Sequence, residues 1–273
     1  MLAASEGVGL FASKCVGVAL SGGGVLGAAH IGVLEVLEEH AIRPFCVTGA
    51  SAGSAVGVAY CAGLGLQRIK ELALAMRWAK LGRVVLPRRG LLDGSRLEDY
   101  VIELIGDRTF DQLQIPFAVA AADILTEELV ILSEGRVAPA VRASCALPGV
   151  FTPVEYEGRL LVDGGIINNL PVAAARDLGA EYVIAVDLSS PMTGERQPPN
   201  TMLDMWLLML STLIRNTHRE VALADVVIRP DVGEFSYIDL GHVPELIERG
   251  RQAAQEMMPV VLSDLGVEEQ RAS

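Results

Sequence analysis

Three short segments carry residue types able to cleave an acyl ester. Gly49-Ala50-Ser51-Ala52-Gly53 sets a serine between small residues. Such a turn between a strand and a helix pushes the hydroxyl out of the backbone curve, where it can act as a nucleophile. Gly22-Gly23-Gly24-Val25-Leu26-Gly27 offers closely spaced backbone N–H groups ahead of a helical pattern. Those donors, with the positive end of the helix, can hold the charge that develops on a carbonyl oxygen during acyl transfer. Asp163-Gly164-Gly165 closes the apolar run Leu160-Leu161-Val162. A carboxylate there, with glycines letting another backbone come close, can take the serine proton and return it to the leaving oxygen. An ordinary aspartate, with a pKa of about 4, is a weak base, and burial against an apolar wall strengthens it.

Other chemistry could claim the same residues. Gly22, Gly24 and Gly27 also fit the dinucleotide pattern Gly-x-Gly-x-x-Gly. A nucleotide fold needs an acid at the end of its second strand to bind ribose. Here that strand reads Val47-Thr48-Gly49 and runs straight into Ser51. A triad would need one of four histidines, His30, His40, His218 or His242. Ser51, Asp163 and His242 follow the chain order of one hydrolase type. Yet His242 lies in Gly241-His242-Val243-Pro244, ahead of a helix and without a distinctive motif, and His30 sits in the helix after the glycine run. Both read more simply as packed or hydrogen-bonded side chains.

The elements that must position these segments alternate from the start. Cys15–Leu20 reads as a buried strand, Val25–Glu39 as a helix, Phe45–Thr48 as a second strand and Ala52–Leu64 as a small-residue helix. This βαβα opening predicts a parallel sheet with helices on its faces. Ser95 is a plausible N-cap for a helix through about Leu104. Phe117–Ala122, Leu129–Leu132, Tyr182–Leu188 and Val226–Arg229 read as strands, Val137–Ala146 as a helix, and Arg196–Asn200 as a loop. No repeat or domain boundary interrupts the 273 residues, so a single domain is the simplest expectation, with core motifs over about residues 16–188 and C-terminal helices over 201–260 packed on it. Thr201–Arg215 is apolar nearly all round and predicts a core or dimer helix, with a lipid-touching interfacial helix as the alternative.

Composition narrows the partners. A formal charge of −12 argues against nucleic acid. One stretch runs the other way. From Arg68 to Arg96 there are eight bases and two acids, Glu71 and Asp93, and such a surface suits anionic headgroups. Cys15, Cys46, Cys61 and Cys145 lie in or beside apolar runs without metal-ligand spacing, which reads as free thiols in a reducing compartment. The first 20 residues lack a basic n-region and no run of 18 apolar residues occurs. The expectation is a cytoplasmic protein, peripheral where it meets a membrane. A homo-oligomer is compatible with this pattern.

Taken together, the segments resemble the patatin-like phospholipase family. The resemblance runs from Val16-Gly17-Val18-Ala19-Leu20-Ser21-Gly22-Gly23-Gly24 to about the end of the Tyr182–Leu188 strand, and includes His30-Ile31-Gly32-Val33-Leu34 and Arg142-Ala143-Ser144-Cys145-Ala146-Leu147-Pro148-Gly149-Val150-Phe151. Its most specific part is Val162-Asp163-Gly164-Gly165-Ile166-Ile167-Asn168-Asn169-Leu170-Pro171. The tail Ala224-Asp225-Val226-Val227-Ile228-Arg229-Pro230 is similar to the bacterial branch. The resemblance implies a three-layer α/β/α sandwich around a mostly parallel sheet. It also implies a Ser51–Asp163 dyad, an oxyanion hole from Gly22, Gly23 and Gly24, and lipid acyl hydrolase activity on a lipid or acyl ester with no metal or cofactor. Gly27, Gly49, Gly53, Gly164 and Gly165 support the motifs. Leu26 departs from the family pattern, which carries Arg or Lys there, so an arginine restored at 26 is expected to favour phospholipid turnover. Two other functions fit the same residues: a non-hydrolytic lipid-binding protein, and an acyltransferase with an alcohol in place of water.

Overall fold

The computed structural model describes residues 14–78, 82–84, 89–189, 198–217 and 220–267. In chain order these form β1 (Val16–Leu20), α1 (Ala29–Glu39), β2 (Cys46–Ala50), α2 (Ala52–Cys61), α3 (Leu66–Leu74), β3 (Arg83–Val84), β4 (Gly90–Asp93) and α4 (Ser95–Ile105). There follow β5 (Phe117–Asp123), β6 (Glu128–Leu132), α5 (Val137–Ser144), β7 (Gly149–Phe151), β8 (Val154–Tyr156) and β9 (Arg159–Asp163). The chain continues through α6 (Val172–Asp177), β10 (Tyr182–Val186), α7 (Met202–Arg215), β11 (Val226–Ile228) and α8 (Val243–Asp264). The fold is α/β/α, with a central, mostly parallel sheet between helices. The sheet runs β11-β10-β1-β2-β5-β9-β8, with β6 also on β5, and a small second sheet joins β3, β4 and β7.

The two faces of the central sheet differ in side-chain size, as a period of two dictates. Val16, Val18 and Leu20 of β1 and Tyr182, Ile184 and Val186 of β10 belong to the large core with α1, α2 and α8. Ala19, Val183 and Ala185 point the other way, into a thinner layer with Val172 and Ala175 of α6. Small residues there let α6 lie close. The large side fills with aliphatic bulk.

The register around β5 builds the site. Residues Val119–Asp123 of β5 pair along their length with β6, so β6 occupies one edge. The other edge is shared. β2 runs parallel beside Phe117–Ala120, and β9 comes from the opposite direction beside Ala121–Asp123. Ala50 pairs with Ala120 and Asp163 with Ala121. The C-terminal ends of β2 and β9 therefore meet head on, opposite consecutive residues of one strand.

Several expected elements are changed in detail. The segment Val25–Glu39 is not one helix, because Gly24–Ala28 winds as a 3-10 turn before α1 begins. Ser95 is not the N-cap of α4. Gly94 takes that position, and the Asp93 carboxylate receives the Ser95 N–H and hydroxyl, both at 3.0 Å. The small strands β3, β4, β7 and β8 carried no clear periodic signal. Lys80, Arg88 and His218, and residues 196 and 197 of the loop at 196–200, lie outside the described residues.

Of the readings for α7, the core one does not hold: Met202, Met205, Met209 and Leu213 are half or more exposed and Trp206 more than a third, while Leu210 is buried, which leaves a dimer or interfacial helix. Among the described residues nothing covers that row, so apolarity here marks a surface and not the core. No helix among the described residues is long and apolar enough to cross a membrane.

Candidate active site

Ser51 turns the chain from β2 into α2 with φ 48° and ψ −118°. A positive φ is unfavourable for a residue with a Cβ, so the turn persists only because its surroundings hold it. The Ser51 N–H donates to the buried Ser144 Oγ at 2.9 Å. Its carbonyl accepts from Ser54 Oγ at 2.6 Å and from Cys145 Sγ at 3.3 Å. Gly49 and Gly53 make the turn sterically feasible. A Cβ on Gly49 would lie 2.6 Å from the Gly53 carbonyl carbon, and one on Gly53 would lie 2.7 Å from the Ser21 carbonyl oxygen. The N-terminus of α2 also starts here, so the positive end of its dipole lies at the serine.

The head-on ends of β2 and β9 bring the Ser51 turn beside the Asp163 carboxylate, whose charged form the Ser51 side chain favours. Asp163 is buried, its N–H donates to Ala146 O at 2.9 Å, and its Oδ1 accepts from the Gly165 N–H at 2.8 Å. Burial pushes the carboxyl up from its usual 3.8 to about 6, against the Ser51 side chain and the Gly165 hydrogen bond, which favour the charged form. A carboxylate poised there is a much better base than an exposed aspartate.

The glycine loop closes over this pair. Ser51 Cβ is 3.1 Å from where a Cβ on Gly22 would sit. The Gly22 N–H, expected to be an oxyanion donor, is already given to the Asn169 carbonyl at 3.1 Å. Of the three expected donors, Gly22 thus has its N–H engaged within the protein. The Gly23 and Gly24 amides have no protein acceptor among the described residues. Gly24 holds φ 57°, with the carbonyl oxygen of Tyr237 2.5 Å from where a Cβ would project.

Asn169 acts on that loop twice, for its Nδ2 also donates to the Gly22 carbonyl at 3.2 Å. In a trans peptide the C=O and N–H point opposite ways. Asn169 therefore fixes the direction of the Gly23 N–H. Ser144, Cys145 and Asn169 were the residues to which spacing gave no role. The signal was present as polar side chains embedded in apolar, strand-flanking segments, where burial demands a partner.

The remaining sequence candidates separate from the site. The His30 Nε2–H donates to Ser21 O at 2.8 Å, and burial lowers its pKa to about 4, so it is a neutral brace beneath the loop. His242 is half exposed beside Asp239 and Glu245. Leu26 is 2% exposed within the core. An arginine at 26 would have to bury its charge there, at a cost in stability. Cys46 and Cys61 are buried free thiols, and Cys15 and Cys145 are half-buried and free. Burial raises the Cys145 thiol to about 12, so it stays protonated and donates to the Ser51 carbonyl.

The patatin-like phospholipase family model matches residues 18–176, which include the glycine loop, the Ser51 turn and Asp163-Gly164-Gly165. The chain belongs to the patatin-like phospholipase family. Among its relatives, the uncharacterized NTE family protein Rv1063c of Mycobacterium tuberculosis is 36% identical over 225 residues, covering 78% of this chain and 59% of that protein. Human patatin-like phospholipase domain-containing protein 6 is 32% identical over 81% of this chain and 16% of its own length. This patatin-like chain thus spans 59% of the length of one of these curated relatives and 16% of the other. The crystal structure of VipD from Legionella pneumophila superposes with a TM-score of 0.57 at 14% identity, over 93% of this chain and 68% of that one, and so shares the fold.

Proposed function

We propose that this patatin-like protein is a serine lipid acyl hydrolase working through a Ser51–Asp163 dyad. The observation that supports this reading is the head-on meeting of β2 and β9, which sets the strained Ser51 turn beside the buried Asp163 carboxylate, whose pKa burial raises to about 6. Ser51 Oγ attacks the ester carbonyl carbon and its proton passes to Asp163. The oxyanion forms against the Gly23 and Gly24 N–H groups. As the tetrahedral adduct collapses, the C–O bond to the alcohol breaks and Asp163 gives that alcohol the proton. Water then attacks the acyl-serine, Asp163 takes a proton from it, and the released serine oxygen recovers that proton as the fatty acid leaves. The chemistry is general acid–base and nucleophilic catalysis by one residue pair.

The test is turnover of a p-nitrophenyl ester together with fluorophosphonate labelling. The wild type hydrolyses the ester and is labelled at Ser51. Ser51→Ala and Asp163→Asn both fold, lose turnover by about 10⁴-fold or more, and Ser51→Ala is not labelled. Substantial activity in either folded variant refutes the dyad, and a wild type inert to both reagents refutes the enzyme.

A further inference from the structure

The glycine loop is gripped at both ends. At the first, Gly22 exchanges two hydrogen bonds with Asn169. At the other, the Val25 N–H donates to Tyr237 O at 2.9 Å, and the Leu26 N–H turns back to Gly23 O at 3.1 Å. The C=O and N–H of a trans peptide point opposite ways, so the Leu26 bond fixes the Gly24 N–H as Asn169 fixes that of Gly23. Between the two grips Gly24 stands at φ 57°. Glycine takes either sign of φ about equally, so its own backbone does not hold that turn; the bond from Val25 to Tyr237 does.

Tyr237 belongs to a strap, residues 229–239, that follows β11 and has no helix or strand of its own. Its hold therefore comes from its neighbours. Arg249 of α8 donates to Glu234 at 2.6 Å, and α8 lies so close on α1 that neither Gly32 nor Gly250 has room for a Cβ. Phe235 and Tyr237 pack, partly buried, on the core. The indole of Trp78, which follows α3, donates to Ile238 O at 2.9 Å. Trp78 and Ile238 are both exposed, so this bond, more than packing, ties them. A fixed Ile238 carbonyl restrains the peptide before it, whose oxygen receives the Val25 N–H.

We propose that Trp78 is a positioning residue for the oxyanion loop. It holds Ile238 O, the strap then keeps Tyr237 O on the Val25 N–H, and the Gly24 N–H keeps its direction. Trp78 acts through the strap and not on the substrate. A donor aimed in advance costs no reorganisation when charge develops on the carbonyl oxygen, which is what makes its direction count in the rate. The catalytic purpose rests on the hydrolase reading; the linkage from Trp78 to Val25 rests on geometry alone.

The experiment uses the full chain with Trp78→Phe, which keeps an aromatic ring and removes the donor at an exposed position, so the variant folds. On a short soluble ester kcat is expected to fall about fivefold, the worth of one hydrogen bond, with KM within about twofold of the wild type. The acid limb that Asp163 sets stays where it is. Asn169→Ala grips the same loop from its other end, so the two substitutions together should cost less than the product of their separate effects. A second measurement needs no turnover: in the Ser51→Ala protein, Trp78→Phe should quicken amide hydrogen exchange at Val25 and Leu26 about fivefold. An unchanged kcat, a loss carried by KM, effects that multiply, or unchanged exchange at Val25 each overturn the proposal. A wild type inert to the ester and to the fluorophosphonate would instead strike the hydrolase reading, and the exchange at Val25 would then decide alone whether Trp78 holds the loop.

Discussion

Around Ser51 every backbone group has a partner, the N–H in Ser144 and the carbonyl in Ser54 and Cys145. Along α7, Met202, Met205, Met209 and Leu213 end in solvent. Both regions are written in small and apolar residues. They differ in what lies opposite. The serine turn is wedged between the ends of β1, β9 and α5, so its strain is held by fixed bonds. The α7 helix packs by its Leu210 side and, among the described residues, leaves its methionine row without cover. Rigidity is concentrated where a hydroxyl has to meet a carboxylate, and adaptable, soft side chains lie where a disordered surface would have to be met.

The largest effect that would sharpen this contrast is Asp163→Asn. Turnover of a soluble ester falls by about 10⁴-fold. Stability moves the other way. A buried carboxyl whose folded pKa is raised favours the fold while it is protonated, below its unfolded value of about 4. That contribution is lost as pH climbs through about 6, the value burial gives Asp163. The asparagine variant keeps an oxygen for Gly165 and escapes this loss. Its unfolding free energy should therefore overtake that of the wild type between pH 4 and 6, by about 3 kcal/mol at neutral pH. Equal stabilities at pH 7.5 would break the idea that the floor of the site stores an unfavourable charge.

Asn169→Ala should come next. The Gly22 carbonyl loses its donor and the Gly23 N–H loses its fixed direction, while Ser51 and Asp163 stay in place. A donor misdirected, not removed, predicts a kcat reduced by about 10- to 100-fold, below the cost of deleting an oxyanion donor outright. KM should change little. A KM increase with constant kcat would assign Asn169 to binding. In the same range lies the acid limb of the wild-type profile. Since Asp163 must be ionised to accept the proton, kcat/KM should drop about tenfold per pH unit below about 6. A profile flat down to pH 4.5 would remove Asp163 as the base.

Much of the floor was legible because its signals are local. A serine between glycines, a glycine run before a helix, and an aspartate closing an apolar run each need only a few residues to be read. The parallel strands were legible for the same reason, since both faces are buried and their runs are continuously apolar. What was not legible depends on register. That Ala50 and Asp163 sit opposite consecutive residues of β5 is a property of three strands at once. That the Gly22 amide is spent on Asn169 depends on how two distant loops meet. The α7 helix stayed open between core, dimer and interface because hydrophobicity reports what a helix could bury, and only the fold reports whether anything is there to bury it.

Leu26 tests the boundary between the two regions. It lies under the glycine loop, in the core, although its sequence position suggests a headgroup contact. Leu26→Arg should destabilise the protein by about 3 kcal/mol or more through a buried, unpaired charge, seen as a lower urea midpoint. It should not improve phospholipid turnover relative to a short ester. A stable variant with enhanced phospholipid turnover would mean that the loop opens to expose position 26.

The smallest expected effect is the most telling about α7. If its methionine row serves only to meet a lipid surface, Met205→Glu with Met209→Glu should leave kcat and KM for a dissolved, short-chain ester within about twofold of the wild type, since exposed substitutions rarely disturb a fold by more than a few tenths of a kcal/mol. Trp206 on Pro148 and Thr217 on Gly165 would still anchor the helix at both ends. If α7 instead shapes the acyl-binding wall of the active site, two new charges would raise KM for that dissolved ester, and more so as its acyl chain lengthens. Measuring KM across a series of chain lengths below their aggregation limits separates the alternatives: a constant ratio between variant and wild type assigns the row to the membrane, whereas a ratio that climbs with each methylene assigns it to the substrate's tail.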